Sequence, residues 1–323
     1  MKRVKRIFAC LLALTMMFGL SATAFATDGG TTPTDQETVT IKKVYKLVGQ
    51  GTSPAETFTL EQVGNGSVTD GEAQSAPALG TITGAAFAEG AATVDGTTGN
   101  ITVVLPEYTR VGVYEYTLRE VAGSTAGVAY YGNDIKLKVT VIQGESGKLR
   151  IAAVHTESAG KKSDSFTNTY SAGTLKVTKT VTGNLGDKDR YFEFKVNLKG
   201  VSGKAYGDSY AISGGSYKNN PTSAKVGEET TFYLKHGETI SIANLPYDVE
   251  YTVTETPMKD YKTTKTGDHG TIAAAEQIAS FTNDRTGSID TGVYLDNLPY
   301  ILVFAGVLAI AAVFVVRRRR FED

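Results

Sequence analysis

Apolar and polar residues alternate along most of the chain between residues 37 and 285, and a period of two is typical of half-buried β-strands. The clearest alternating runs are residues 39–43, 56–60, 101–105, 135–141, 148–154, 191–196, 230–234, 239–242 and 249–255. Clusters of glycine, asparagine and aspartate separate these runs, and no stretch of residues 27–297 has convincing helical periodicity. Many short strands divided by turn signals predict an all-β protein built from β-sandwiches.

A short string occurs twice and divides this region into two units. Residues 165–168 and 280–283 both have the sequence Ser-Phe-Thr-Asn. Each copy closes a unit that opens on a lysine-bearing strand and has a later strand ending in glutamate, which is the signature of an internal repeat. We therefore predict two tandem β-sandwich domains, at residues 37–170 and 174–285, joined by a very short linker at residues 171–173.

The alternation places polar residues on the apolar faces of these strands. Residues two apart along a strand share a face, so Lys43 shares its face with Val39 and Ile41. Lys42 is its neighbour in the chain, and the alternation alone selects Lys43. The same argument gives a first triad of Lys43, Glu120 and Asn168 and a second triad of Lys179, Glu255 and Asn283. Lysine and glutamate are almost never fully buried unless they are paired, so two such triads in the same order need an explanation.

The N-terminus has the features of a signal peptide, predicted at residues 1–26. A basic head precedes a mostly apolar stretch at residues 7–20, and Ala24-Phe25-Ala26 provides a cleavage signal. A membrane helix is the weaker alternative, because the apolar run is short and ends in small residues. Cys10, the single cysteine of the sequence, lies in this leader, so the exported chain is expected to have no disulfide.

The C-terminus contains a second apolar segment, at residues 298–316, followed by a basic tail at 317–323. Its length predicts a membrane span, and its four arginines predict a cytoplasmic C-terminus. Residues 288–292, Ser-Ile-Asp-Thr-Gly, precede it. This order of elements over residues 288–323 resembles the sortase sorting signal of Gram-positive surface proteins, with serine and isoleucine where leucine and proline are usual. A simple single-pass membrane protein is the alternative.

Burial of the triads suggests a covalent reaction between lysine and asparagine. A lysine with its reference pKa near 10.4 is almost entirely charged at neutral pH, but burial lowers the pKa of an amine and raises that of a carboxylic acid. A protonated glutamic acid can then hydrogen-bond the asparagine amide oxygen and polarise its carbonyl, while the neutral lysine attacks that carbon and ammonia leaves. We predict the bonds Lys43–Asn168 and Lys179–Asn283, assisted by Glu120 and Glu255. The alternative is a buried salt bridge with asparagine as a hydrogen-bond partner, and the repetition of the triad favours the bond.

Charge and residue content exclude several other classes of function. Subtracting the leader's charge of +4 and the +1 of residues 292–323 from the formal net charge of −1 leaves −6, which argues against a nucleic-acid partner. The three histidines are scattered without ligand spacing, so we expect no metal site and no cofactor. The sequence offers no turnover site, and the triads would react once, with themselves. We therefore expect no enzyme activity beyond single-turnover bond formation.

With these triads, leader and tail, the chain resembles the two-domain major pilins of streptococci and related Gram-positive bacteria. The resemblance covers nearly the whole precursor and implies tandem Ig-like (CnaB-like) domains with self-formed isopeptide bonds. Residues 116–120 and 251–257 also resemble the E-box of pilin domains. The Tyr-Pro-Lys acceptor motif of another pilin class is absent. The resemblance points instead to a lysine just ahead of Asn168, where Lys161 and Lys162 stand.

Polymerisation is the expected role of these two lysines. A sortase that cleaves between Thr291 and Gly292 holds Thr291 as a thioester and needs an accessible amine on the next subunit, which excludes the buried lysines. Lys161 and Lys162 are expected in an exposed loop, and the resemblance favours Lys161. Both could instead be ordinary solvated lysines.

The expected function is the shaft subunit of a sortase-assembled pilus, and the alternative is a monomeric adhesin anchored to the cell wall. The expected partners are sortase, other copies of the chain, a tip adhesin, and a basal pilin or peptidoglycan. We expect export to the cell surface, with the membrane as a partner of the precursor only.

Overall fold

The computed structural model describes residues 36–144, 147–288 and 298–319. The strands of its N-terminal half are β1 (Thr38–Gly49), β2 (Glu56–Phe58), β3 (Leu60–Gln62), β4 (Ser67–Gly71), β5 (Ile82–Thr83), β6 (Ala85–Phe87), β7 (Thr97–Val104), β8 (Gly112–Glu120), β9 (Val128–Ala129), β10 (Ile135–Gln143), β11 (Leu149–Ser158), β12 (Lys161–Lys162) and β13 (Ser165–Thr182). Those that follow are β14 (Phe192–Lys199), β15 (Tyr210–Gly214), β16 (Ser223–Ala224), β17 (Glu229–Leu234), β18 (Thr239–Pro246), β19 (Glu250–Glu255), β20 (Lys262–Thr266), β21 (His269–Thr271) and β22 (Glu276–Asp284). The described residues also include one helix, α1 (Leu298–Arg319).

Several predictions concern residues that the structure does not describe. The signal peptide at 1–26, the cleavage pair Thr291–Gly292 and the end of the tail at 320–323 all lie outside the described residues. Over the part of the chain that is described, no helix combines the length and the apolar character needed to cross a membrane. The membrane span at residues 298–316 therefore stays a prediction.

Two β-sandwiches follow one another along the chain. In the first, a sheet with the order β5-β7-β1-β13 faces a six-stranded sheet with the order β12-β11-β10-β8-β3, in which β4 also pairs with β8. In the second, β13, β15, β16, β18, β20 and β22 face a four-stranded sheet with the order β17-β14-β19-β21. Alternation along each strand fills the two cores, whose large side chains include Tyr45, Phe58, Tyr114, Tyr116, Phe192, Phe194, Phe232 and Phe281. The all-β prediction is confirmed.

Strand β13 passes through both domains without interruption. Its first half pairs in parallel with β1, and its second half pairs in parallel with β22 and antiparallel with β18. The linker predicted at residues 171–173 is therefore wrong: Ala172 is fully buried and is paired with both Gly49 and Pro246. Gly173 serves close packing rather than flexibility, because a Cβ atom there would lie 2.2 Å from the carbonyl oxygen of Ala274.

Polar contacts also fix the junction between the domains. Asn244 of the second domain donates a hydrogen bond from Nδ2 to the carbonyl oxygen of Thr52 in the first domain, at 3.0 Å, and accepts one at Oδ1 from the Thr52 amide, also at 3.0 Å. On another part of the junction, the amide of Ala205 donates to the carbonyl oxygen of Ser124, and that of Ala126 donates to Ala205, both at 2.8 Å. The two domains are thus joined by a continuous strand and by hydrogen bonds beside it.

Candidate functional site

The parallel pairing of the first and last strands brings lysine and asparagine together in the first domain. Strand β1 lies beside β13 with Lys43 opposite Phe166 and Tyr45 opposite Asn168. Because side chains two positions apart share a face, Lys43 and Asn168 both point into the sandwich from neighbouring strands. Glu120 reaches them from the end of β8, in the facing sheet.

The second domain repeats this arrangement with the same register. Strand β13 lies beside β22 with Lys179 opposite Phe281 and Val181 opposite Asn283. Glu255 comes from the end of β19 in the facing sheet. The two triads are therefore equivalent in their strands, their register and the sheet that supplies the carboxylate.

All three side chains of the first triad are buried and in mutual contact. The exposed fractions of Lys43, Glu120 and Asn168 are 1%, 4% and 0%. The Nζ atom of Lys43 donates a hydrogen bond to Asn168 Oδ1 at 2.6 Å and forms an ion pair with Glu120 Oε2. Asn168 Nδ2 donates to Glu120 Oε1, which also accepts from the amide of Tyr131 at 3.3 Å. The carboxylate thus contacts the amine and the amide nitrogen, whereas the amide oxygen predicted to bind it accepts from Lys43 instead.

The second triad has the same members with a different hydrogen-bond pattern. Lys179 Nζ lies 2.8 Å from both carboxylate oxygens of Glu255, and Asn283 Nδ2 donates to Glu255 Oε1 at 2.5 Å. Within the described residues, the buried Oδ1 atom of Asn283 has no hydrogen-bond partner. The carboxylate again bridges lysine and asparagine, while the amide oxygen is left without a donor.

Burial lowers the pKa of both lysines. For Lys43, loss of hydration is the largest effect, and the hydrogen bond and charge of Glu120 oppose it without reversing it. The pKa of Lys179 is lowered in the same way, against the opposing effect of Glu255. Aromatic rings line both amines: Nζ of Lys43 lies 5.3 Å from the ring centroid of Phe58, and Nζ of Lys179 lies 4.2 Å from that of Phe192. A lowered pKa increases the fraction of uncharged, nucleophilic amine.

Lys43 and its neighbour Lys42 have different environments in the structure. Lys42 points outward, with 45% of its side chain exposed, and forms an ion pair with Asp164 at 3.0 Å. Lys43 therefore occupies the triad, as the alternation predicts. The aromatic lining was not identified from the sequence. Phe58 and Phe192 lie on predicted strands, but Tyr131, whose ring centroid lies 5.8 Å from Lys43 Nζ, is in an irregular segment without a pattern to reveal its position.

Lys161 and Lys162 are exposed, in a setting that differs from the predicted loop. They form the two-residue strand β12, which pairs with the end of β11 at the edge of the six-stranded sheet. Ala159 and Gly160, with φ angles of 49° and 74°, make the tight turn that returns the chain, as two-residue hairpins require. The loop prediction is wrong because this turn lets β12 pair at once.

Comparison with known proteins adds to this geometry. Residues 39–171 match the family model described as Spy0128-like isopeptide containing domain. Residues 173–285 match a model described as a domain of unknown function (DUF7601). A pilin of Streptococcus pyogenes serotype M1 is 27% identical over 236 residues, which are 66% of this chain and 69% of that pilin. By these matches the chain is similar to a Gram-positive pilin, and its first domain matches an isopeptide-containing family model.

The chain has further similarities to pilus proteins of Streptococcus pyogenes. It is 34% identical to the pilus tip adhesin Cpa of Streptococcus pyogenes over 112 residues, which are 35% of this chain and 15% of the adhesin. The crystal structure of the major pilin from Streptococcus pyogenes matches with a TM-score of 0.49 and 23% identity, covering 79% of this chain and 100% of the other. The major pilin T3.2 of the same species matches with a TM-score of 0.47 and 21% identity, covering 78% and 99%.

Proposed function

We propose that this protein is a pilin, the repeating shaft subunit of a covalently polymerised surface pilus, reinforced by one internal Lys–Asn isopeptide bond in each domain. The observation that carries this proposal is the pair of buried triads in identical register. A buried ion pair alone is weak support for stability, because the loss of hydration offsets much of the attraction. Two such pairs, each with an asparagine amide in contact, are better explained as the site of a reaction.

The proposed reaction in the first domain needs no cofactor. The uncharged amine of Lys43 attacks Cγ of Asn168, whose oxygen lies 2.6 Å from Nζ. A new C–N bond forms, the bond from Cγ to Nδ2 breaks, and the leaving nitrogen departs as ammonia. Glu120 touches both nitrogens, so it can accept a proton from the amine and deliver one to the leaving group. The folded core supplies the proximity that a reaction with a stable amide requires.

The same reaction is proposed between Lys179 and Asn283, with Glu255 as the proton carrier. Glu255 contacts Lys179 Nζ and Asn283 Nδ2, the two nitrogens between which a proton must pass. Both bonds would join the first strand of a domain to its last strand, and these strands already pair in parallel.

Polymerisation is proposed to join Thr291 of one subunit to a lysine of the next. A sortase would cleave between Thr291 and Gly292, after residues 298–316 have held the precursor in the membrane. Lys161 is the proposed acceptor and Lys162 the alternative, because both are exposed on the short edge strand β12. A tip adhesin and a basal pilin or peptidoglycan would then be partners at the two ends of the shaft.

Co-expression with the matching sortase tests the polymer directly. We expect a ladder of detergent-resistant polymers, and mass spectrometry of digests should find a cross-linked peptide that contains Thr291 and Lys161. Lys161→Ala should abolish the ladder, whereas the matched variant Lys162→Ala should leave it intact. The reverse pattern would move the acceptor to Lys162. The absence of any ladder from the unaltered chain would favour the monomeric adhesin.

A further inference from the structure

Hydrogen bonds hold the chain where it leaves the second domain. Beyond the end of β22, the amide of Arg285 donates to the carbonyl oxygen of Thr182 at 3.1 Å. Two residues later, the amide of Gly287 donates to Asn184 Oδ1 at 3.0 Å, and Asn184 Nδ2 donates to the carbonyl oxygen of Gly287 at 2.8 Å. Both backbone groups of Gly287 are therefore held by one side chain that lies 103 residues earlier in the sequence.

The local sequence permits this close approach. Gly183 has a φ angle of 87°, and a Cβ atom there would lie 2.2 Å from the carbonyl oxygen of Arg285. A Cβ atom on Gly287 would lie 2.6 Å from Cδ1 of Leu185. Glycine at position 183 therefore lets the segment carrying Asn184 pack directly against the departing chain, whereas the Leu185 side chain could move aside at position 287.

The same device occurs at the other end of the second domain. There Asn244 binds both backbone groups of Thr52 and so holds the first domain in place. A side-chain amide suits this task because it offers a donor and an acceptor together, as a backbone amide does. Asn184 thus holds the chain where it leaves the second domain, and Asn244 provides one of the contacts between the two domains.

The position of Gly287 limits how far the proposed linkage can extend. Four residues, 288–291, lie between Gly287 and the end of Thr291. At most about 3.3–3.6 Å per residue, they span no more than about 14 Å. Without the Asn184 contacts, the last residue held by the hydrogen bonds described above would be Arg285. Six residues, 286–291, would then separate Arg285 from the end of Thr291, and they could span at most about 21 Å.

We propose that Asn184 is a positioning residue of the shaft, which holds Gly287 and keeps the connection between successive subunits short. The inference rests on the proposed polymerisation through Thr291. A short connection restricts the angles that neighbouring subunits can adopt, so Asn184 would set the bending stiffness of the polymer. It takes no part in cleavage or bond formation.

The test uses Asn184→Ala, with Asn197→Ala as a matched control because Asn197 is an exposed asparagine of the same domain. In the monomer, hydrogen exchange of the Gly287 amide should become about tenfold faster in Asn184→Ala, as expected for the loss of one hydrogen bond. The control should leave it unchanged. Asn184→Asp retains an acceptor and should largely preserve the protection of Gly287.

Polymer stiffness supplies the second measurement. Sortase should assemble Asn184→Ala into a normal ladder, but the persistence length of the polymers in electron micrographs should fall at least twofold relative to the Asn197→Ala control. If hydrogen exchange of the Gly287 amide were unchanged in Asn184→Ala, or if its polymers formed normally with unchanged persistence length, the role proposed for Asn184 would be wrong. The proposed polymerisation would still stand. Failure of the unaltered chain to polymerise through Thr291 would instead overturn the proposed function on which that role rests.

Discussion

Replacing Glu120 by glutamine isolates the contribution of the first proposed bond. The substitution keeps the size of the side chain and its ability to hydrogen-bond Lys43 and Asn168, but the amide cannot accept and deliver a proton as the carboxyl group can. We therefore expect Glu120→Gln to fold with an unbonded first domain. Its intact mass should exceed that of the unaltered chain by one retained ammonia, apart from the substitution itself.

The magnitude of the effect follows from the length of the closed loop. Lys43 and Asn168 are 125 positions apart, and cross-linking a loop of this length stabilises the folded state by about 5 kcal/mol in the chain-entropy model. For a domain the size of residues 39–171, that loss corresponds to a fall in Tm of roughly 15–20 °C. The missing negative charge beside Lys43 adds to the destabilisation, because a buried lysine without its partner is costly.

Differential scanning calorimetry measures this change, with the bonding state of each sample checked by mass. The matched control is Glu89→Gln, a substitution of an exposed glutamate in the same domain, which should leave both mass and Tm nearly unchanged. A Tm for Glu120→Gln within about 3 °C of the unaltered chain, despite a retained ammonia, would refute the argument that the bond stabilises by closing the loop.

Two further predictions concern the second domain. In the unbonded variant Asn283→Ala, the pKa of Lys179 in the folded state lies below its unfolded value of 10.5, so folding releases a proton. The free energy of unfolding, measured with urea, should therefore increase as pH rises towards 10.5. If this pH dependence remained after the further substitution Lys179→Met, Lys179 would not be its source. In single-molecule pulling between Lys161 and Thr291, tension passes along β13 and then through the second bond, so Glu255→Gln should release about 100 residues, roughly 350 Å of chain. Glu120→Gln, which removes the first-domain bond, should release no additional chain. A long extension from that variant would show that the force follows another path.

Much of the triad geometry could be predicted from the sequence because side-chain alternation is a local property. Val39, Ile41 and Lys43 share a face in any strand, whatever the strand pairs with. Burial of the lysine followed from that pattern together with the repeated Ser-Phe-Thr-Asn string. The structure adds the parallel pairing of first and last strands, which depends on contacts more than a hundred residues apart and has no local signal.

The junction and the exit of the second domain could not be predicted for the same reason. Ser171, Ala172 and Gly173 are small residues of the kind that form linkers, yet pairing on both sides keeps them in one strand. The roles of Asn184 and Asn244 depend on backbone groups 103 and 192 positions away. Asparagine is common in turns, so neither residue stands out in the sequence.

Bond formation in the unaltered chain is the central claim, and intact mass tests it most directly. An ectodomain of residues 27–291, expressed without sortase and denatured before analysis, should weigh less than its sequence mass by two ammonia molecules. Tandem mass spectrometry should place one link between Lys43 and Asn168 and the other between Lys179 and Asn283. A measured mass equal to the full sequence mass would show that both triads are buried salt bridges and would contradict the account.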